Sequence, residues 1–323
     1  MVGFVYEITP RCNLNCGFCY NVWKESGELP GELGYHRISE LLEKVLPEAG
    51  PQWLTFAGGE PLLHPDLVRS VRFAKTRFPH IRLGIATNGA LLEGDICREL
   101  VEAGIEHFEI SLFASDKETY RRMAGASALA SVHRAITYVK REGAALTVAT
   151  VLTAQNMGEL EAVMETAFAL GADRLALNRF VPTGKGKGNR QTFHISTSEL
   201  DRALRLADGK SAKLGLPVTI AVPVEDCVLA HKEYPCLNFS ACACGQVKWA
   251  IDPLGRMRIC EQSAHVLGDL FHQRFSDLAA CKSVQFFRQA GRSEFCPECR
   301  HYGHCGGGCR FAEKGEPFLP TGS

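Results

Sequence analysis

The chain has 323 residues, 46% of them hydrophobic, and its 36 basic and 36 acidic side chains cancel to a formal net charge of zero. That length exceeds a usual single domain and points to one large α/β domain with a smaller appendage, while the charge balance removes any bulk electrostatic case for nucleic acid or an anionic membrane as partner. No apolar run approaches the ~20 residues needed to cross a bilayer, and the N-terminus lacks a basic-then-apolar secretory pattern, so the expected location is the cytoplasm.

The first predicted strand, residues 4–8, runs into Thr9-Pro10-Arg11-Cys12-Asn13-Leu14-Asn15-Cys16-Gly17-Phe18-Cys19-Tyr20. Three cysteines spaced C-x3-C-x2-C sit in that loop, and in a reducing compartment clustered thiols are read first as metal ligands. A closed zinc site wants four ligands and no fourth Cys or His follows within the loop, whereas three thiolates leave one iron of a [4Fe–4S] cube open. A zinc knuckle or three reduced thiols is the plain alternative.

Short apolar runs at 53–56, 81–86, 107–112, 146–152, 174–178 and 218–222 read as further strands, with amphipathic helices at 36–46, 65–77, 93–103, 128–141, 157–170 and 197–214 between them. Repeated βα units imply a mostly parallel sheet with helices outside, and chemistry at the C-terminal ends of the strands. Six units and a possible seventh strand are too few for a complete eight-stranded barrel.

Placed after the first strand, with Phe18 just before the third cysteine, the loop resembles the cluster-binding motif of radical S-adenosylmethionine (SAM) enzymes. Cys12, Cys16 and Cys19 match the family's three ligands and Phe18 its aromatic position. The resemblance implies a partial (β/α)6 barrel over 1–223, a [4Fe–4S] cluster whose open iron takes the amino and carboxylate groups of SAM, and reductive cleavage of SAM to a 5′-deoxyadenosyl radical that removes hydrogen from substrate.

After the second strand, Gly58-Gly59-Glu60 looks like the family's GGE motif, whose backbone and acid contact the SAM amino group; two glycines also suit a plain strand-to-helix turn. Thr87-Asn88-Gly89 is similar to the segment lining the SAM pocket, or a simple strand-end turn. Ser111 stands where relatives place a ribose contact. Arg122, or neighbouring Arg121, lies near the position from which an arginine meets the SAM carboxylate, although Phe113-Ala114-Ser115-Asp116 departs from the usual pattern there. Asn156 and Asn178 are further candidates that equally suit turns or caps. The glycine-rich basic stretch 179–190 lacks a P-loop pattern and reads as a mobile loop.

Beyond residue 224 periodicity fades and cysteines accumulate at 236, 242, 244 and 260, followed by the C-x2-C-x5-C-x3-C run of Cys296, Cys299, Cys305 and Cys309. With Gly255-x4-Cys260 and a Pro-x-Gly hairpin over 251–257, this looks like the SPASM extension that holds auxiliary [4Fe–4S] clusters, here spanning 224–323. The analogy assigns Cys236, Cys242, Cys260 and Cys309 to a first auxiliary cluster and Cys296, Cys299 and Cys305 to a second. Complete SPASM domains place a last cysteine beyond the C-x3-C motif, and positions 310–323 hold none. Cys244 replaces Cys242, serves the second cluster, or is a spare thiol; structural zinc is the alternative for the whole region. Cys97, Cys227 and Cys281 stand alone and read as small buried hydrophobes.

The resemblance implies an oxidoreductase that oxidises or cross-links a ribosomally made peptide, a RiPP maturase. The alternative substrate is a small cofactor precursor such as a tetrapyrrole. Cys12 follows the first residues almost at once, which leaves leader binding to a separate partner protein, and an external donor of flavodoxin or ferredoxin type would supply electrons. A non-catalytic iron–sulfur or zinc binding protein is the reading from another class.

Overall fold

The computed structural model describes residues 2–24, 29–289 and 296–312. β1 (Val2–Thr9) is buried along almost its whole length, as a strand covered on both faces must be, which is why it reads as a continuous apolar run. β2 (Pro51–Gly58), β3 (Arg82–Thr87), β4 (Ile105–Ser111), β5 (Ala145–Leu152), β6 (Arg174–Arg179), β7 (Val218–Ile220) and β8 (Leu237–Phe239) follow, each parallel to its predecessor.

Helices cover the crossovers. α1 (Tyr35–Ala49) buries Ile38, Leu41, Leu42, Val45 and Leu46 on one stripe and stops at Gly50, which takes the left-handed conformation. α2 (Leu67–Arg77), α3 (Gly94–Ala103), α4 (Lys117–Ala124), α5 (Leu129–Arg141) and α6 (Leu160–Ala169) come next. Two short turns, α7 (Lys185–Gly188) and α8 (Arg190–Phe193), precede α9 (Thr197–Leu214), which begins at a capping box made by Ser196 and Glu199.

The structure departs from expectation in two places. Residues 179–190, read as a mobile loop, instead carry α7 and the start of α8. Both dock on the cysteine loop, with the Gly186 amide donating to the Cys19 carbonyl at 3.0 Å and Asn189 Nδ2 to the Gly17 carbonyl at 2.9 Å. The second departure is in the sheet. β8 is a three-residue strand, too short to show a period, and β9 (Lys248–Ile251) lies parallel beside β1. β10 (Arg256–Arg258) and β11 (Val266–Asp269) continue antiparallel. The order is therefore β11-β10-β9-β1-β2-β3-β4-β5-β6-β7-β8, and residues beyond 223 add strands to both edges of the barrel sheet.

The predicted hairpin is where 251–257 placed it. Asp252 caps its turn by accepting from the amides of Leu254 and Arg256, both at 2.9 Å. A buried ion pair between Glu7 on β1 and Arg258 on β10 ties this hairpin to the barrel, and the Arg258 guanidinium lies 4.8 Å from the Trp23 ring centroid.

Candidate active site

Cys12, Cys16 and Cys19 lie on the loop that leaves the C-terminal end of β1. Neighbouring elements grip that loop: after β2, the Gly59 amide donates to the Thr9 carbonyl at 2.8 Å and the Glu60 amide to the Arg11 carbonyl at 2.7 Å, and the Asn15 amide donates to the carbonyl of Ala124, the last residue of α4, at 3.0 Å. Lys24 Nζ donates to the Leu14 carbonyl at 2.8 Å, and Lys185 Nζ to Asn15 Oδ1 at 2.5 Å. Phe18 packs edge-on between Phe113 and Phe193, its centroid 4.9 and 5.8 Å from theirs. Burial, and then the charges of Cys19 and Cys12, push the Cys16 thiol up to about 12, and burial also raises Cys19. Clustered thiols whose thiolate charges would oppose one another are the condition that a bound cation relieves.

These thiols face a cavity of roughly 530 Å³ at the C-terminal ends of the strands. Gly58, Gly59, Thr87, Asn88, Ser111 and Asn178 also line it. The two glycines are required by close approach. A Cβ on Gly58, whose φ is 136°, would lie 2.3 Å from the Thr9 carbonyl oxygen, and one on Gly59 would lie 2.1 Å from that of Arg11. The Gly59 and Glu60 amides are thereby engaged by the loop. Asn88 Nδ2 reaches Cys12 Sγ at 3.8 Å and Asn13 Oδ1 at 2.8 Å, so the third strand end orients the first thiol.

Three of the expected contacts lie outside the cavity lining. Glu60 is fully buried behind the wall, its carboxylate accepting from Thr87 Oγ1 at 2.6 Å and from the amides of Asn88 at 2.7 Å and Leu62 at 3.2 Å. It shapes the pocket without lining it. Arg122 points its guanidinium to the Gln155 carbonyl at 3.3 Å and Thr119 Oγ1 at 3.4 Å, and Arg121 pairs with Glu118 at 2.7 Å. Both sit on α4, outside the cavity lining. Asn156 is consumed by the loop after β5, donating to the Phe113 and Val151 carbonyls, each at 2.8 Å.

Across the cavity from the first thiols stand Cys242, Cys244, Cys260 and Cys309. Ligating atoms of Cys244, Cys260 and Glu261 all lie within 4.8 Å of one another. Cys242 and Cys244 share a hydrogen bond that lowers the first thiol and raises the second, and burial, with the charges of Cys260 and Cys242, pushes Cys309 up to about 12. Cys236, expected in this group, precedes β8 and so sits at the opposite end of that strand from Ser240 and Ala241, which line the cavity. Its amide is taken by Asp208 at 2.7 Å. Cys244 lines the cavity and Cys236 does not. Cys296, Cys299 and Cys305 lie outside the cavity lining.

Sequence reasoning missed the charged groups between the two thiol sets. Glu109 projects from β4 into the cavity and makes no hydrogen bond among the described residues; burial holds its carboxyl above the ordinary range, Lys248 opposing and Glu261 adding to the shift. Lys248 on β9 pairs with Glu261, and Arg179 pairs with Glu225 at 3.2 Å. Glu109 alternates with apolar neighbours on its strand, a signal open to reading, but nothing in the sequence says which face meets the cavity.

The family profile described as the Radical SAM superfamily matches residues 6–167, a span that carries the cysteine loop and both glycine motifs. The chain belongs to the radical SAM superfamily. Members use a [4Fe–4S] cluster and SAM, and the donor set of this radical SAM chain fits that cluster: three clustered thiols, of which Cys16 and Cys19 are raised by burial, open to a cavity beside a glycine cradle. The chain is 27% identical over 317 residues to a PqqA peptide cyclase of Gluconobacter oxydans, covering 96% of this chain and 85% of that protein. An AdoMet-dependent heme synthase of Oleidesulfovibrio alaskensis is 23% identical over 332 residues, covering 94% and 81%. In fold, this radical SAM chain matches Streptococcus suis SuiB, solved bound to its precursor peptide SuiA, with a TM-score of 0.76 at 16% identity over 95% of this chain and 71% of that one. Among the described residues, no helix is long and apolar enough to cross a membrane.

Proposed function

We propose that this radical SAM enzyme oxidises or cross-links side chains of a ribosomally made peptide, in the cytoplasm, with Cys12, Cys16 and Cys19 holding the SAM-binding cluster. The observation that carries the reading is that two separate sets of thiols, these three and Cys242, Cys244, Cys260 and Cys309, face each other across one cavity. When bound, SAM and the clusters supply a 5′-deoxyadenosyl radical that takes a hydrogen atom from substrate and an acceptor for the electron that the substrate then gives up.

The chain's own residues do the rest. The carbonyls of Gly58 and Gly59 would hold the SAM ammonium, with Thr87, Asn88, Ser111 and Asn178 lining the remainder of the pocket, and Phe18, packed between two aromatic rings, would shield one side from water. Oxidation of a substrate radical releases a proton as well as an electron. Glu109, a carboxylate in the cavity without a hydrogen-bond partner among the described residues, is positioned to take it, with Glu261 and Lys248 setting the local charge.

Peptide is placed ahead of a small cofactor precursor because the peptide cyclase relative spans nearly the whole chain and the fold matches a protein solved with its precursor peptide. The heme synthase relative keeps a tetrapyrrole-like precursor as the second reading. An external flavodoxin or ferredoxin would deliver the electron, and a separate leader-binding protein would present the peptide.

Anaerobically reconstituted protein, given dithionite and SAM, is expected to form 5′-deoxyadenosine, and Cys16→Ala is expected to form none. Adding short peptides encoded beside the gene should convert one of them to a product lighter by a pair of hydrogens. A protein that carries only zinc and cleaves no SAM would return the chain to the non-catalytic class. Turnover of a tetrapyrrole precursor without any peptide product would favour the second reading.

A further inference from the structure

Three of the fourteen cysteines stood apart in the sequence, and the structure separates them. Cys97 is buried on α3, and Cys281 is half-buried against the core. Cys227 is exposed. It sits in a tight turn after β7, closed by the amides of Val228 and Leu229 donating to the Glu225 carbonyl at 2.9 and 3.1 Å.

That turn is fastened to the C-terminal cysteine run. The Cys309 amide donates to the Pro223 carbonyl at 3.2 Å, and Asp226 pairs with His301 Nδ1 at 2.8 Å. Glu225 packs so closely on Gly308 that a Cβ there would lie 2.0 Å from its carboxylate. The run itself is tightly coiled. The Cys299 amide donates to the Cys296 carbonyl at 3.1 Å, the Cys305 amide to the His301 carbonyl at 3.2 Å, and the Gly307 amide to Cys305 Sγ at 3.4 Å. A Cβ on Gly307 would lie 4.0 Å from Cys296 Sγ, so Cys296 and Cys305 both close on that glycine. Cys227 lines one surface cleft together with Arg300 and His301, the two residues that follow Cys299.

We propose that Cys227 is the fourth thiolate of a second auxiliary site, completing Cys296, Cys299 and Cys305 around a [4Fe–4S] cluster. A cube held by protein alone takes four cysteines, and one segment supplies three. The other described cysteines are committed elsewhere: Cys12, Cys16, Cys19, Cys242, Cys244, Cys260 and Cys309 line the cavity, Cys236 lies at the far end of β8, and Cys97 and Cys281 pack in the core. The proposal rests on reading the C-terminal cysteines as cluster ligands.

The test uses the full chain, reconstituted anaerobically, as the parent and as Cys227→Ala, Cys296→Ala and the double variant. Each single variant is expected to lose about four irons and their labile sulfide per chain, and the double variant to lose no more than either alone. In the parent, Cys227 should resist alkylation, mapped by peptide mass spectrometry, until the clusters are stripped with a chelator. Full iron in Cys227→Ala beside reduced iron in Cys296→Ala, with Cys227 alkylated at once in the loaded parent, would overturn the role of Cys227 alone. Full iron in both variants, or zinc in place of iron, would overturn the underlying reading as well.

Discussion

Cys12, Cys16 and Cys19 sit on one loop spanning residues 12–19, whereas the thiols that face them come from four points between residues 242 and 309. The first set is held by short-range closure and by the ends of β1 and β2. The second set depends on β9, β10 and β11 pairing onto the edge of the barrel sheet beside β1. Proximity in the first region is nearly a property of the local sequence, while in the second it is a property of long-range strand pairing, which costs loop-closure entropy before it returns any contact. The two regions should therefore fail separately.

The largest expected separation comes at the buried ion pair that joins them. Arg258→Met leaves Glu7 in the interior without its partner, at a cost of about 3–5 kcal/mol. Urea titration of the reconstituted protein should show auxiliary iron released early, with 5′-deoxyadenosine formation surviving to higher denaturant. Simultaneous loss of both would show that the regions unfold as one unit.

Gly59→Val attacks the other region. Its Cβ would meet the Arg11 carbonyl at 2.1 Å, and relieving such a clash costs about 1–3 kcal/mol. Because the contact is with the cysteine loop itself, the variant should lose cluster absorbance as well as SAM affinity while keeping its auxiliary iron. Weakened SAM binding with the first cluster intact would confine the role of Gly59 to the ligand.

The smallest effect is a pH dependence. Burial raises Glu109 above its ordinary value, so the folded chain holds that proton more tightly than the unfolded chain. Its contribution to stability is complete below the unfolded pKa of about 4.3 and is lost as pH rises through the folded value. Glu109→Gln should match the parent at acid pH, become the more stable protein toward neutrality, and lose substrate conversion. Parallel urea midpoints across that range would reveal an acid already paired in the fold.

Most of the barrel was readable because parallel strands and their covering helices repeat two distinct periods, and the predicted runs at 4–8, 146–152 and 197–214 fall within β1, β5 and α9. β8 and the α7 and α8 turns were not, since elements of three or four residues carry no period and owe their shape to what they dock on. Glu60 shows the same limit within a motif. Its place after two glycines identified the segment, but three donors behind the wall decided where its carboxylate went.

The sequence by itself determined the thiol loop, because a C-x3-C-x2-C spacing on so short a stretch leaves the chain few ways to keep the three sulfurs apart. It also determined the alternation that builds the sheet and places that loop at the C-terminal strand ends. Tertiary structure alone decided which distant cysteines share a neighbourhood. Cys236 and Cys244 are separated by the length of β8, and pairing of β8 on β7 and of β9 on β1 carries one away from the cavity and the other into it. The same folding brings Cys227 beside a run nearly seventy residues further along the chain, a distance over which spacing carries no information because loop closure depends only weakly on length.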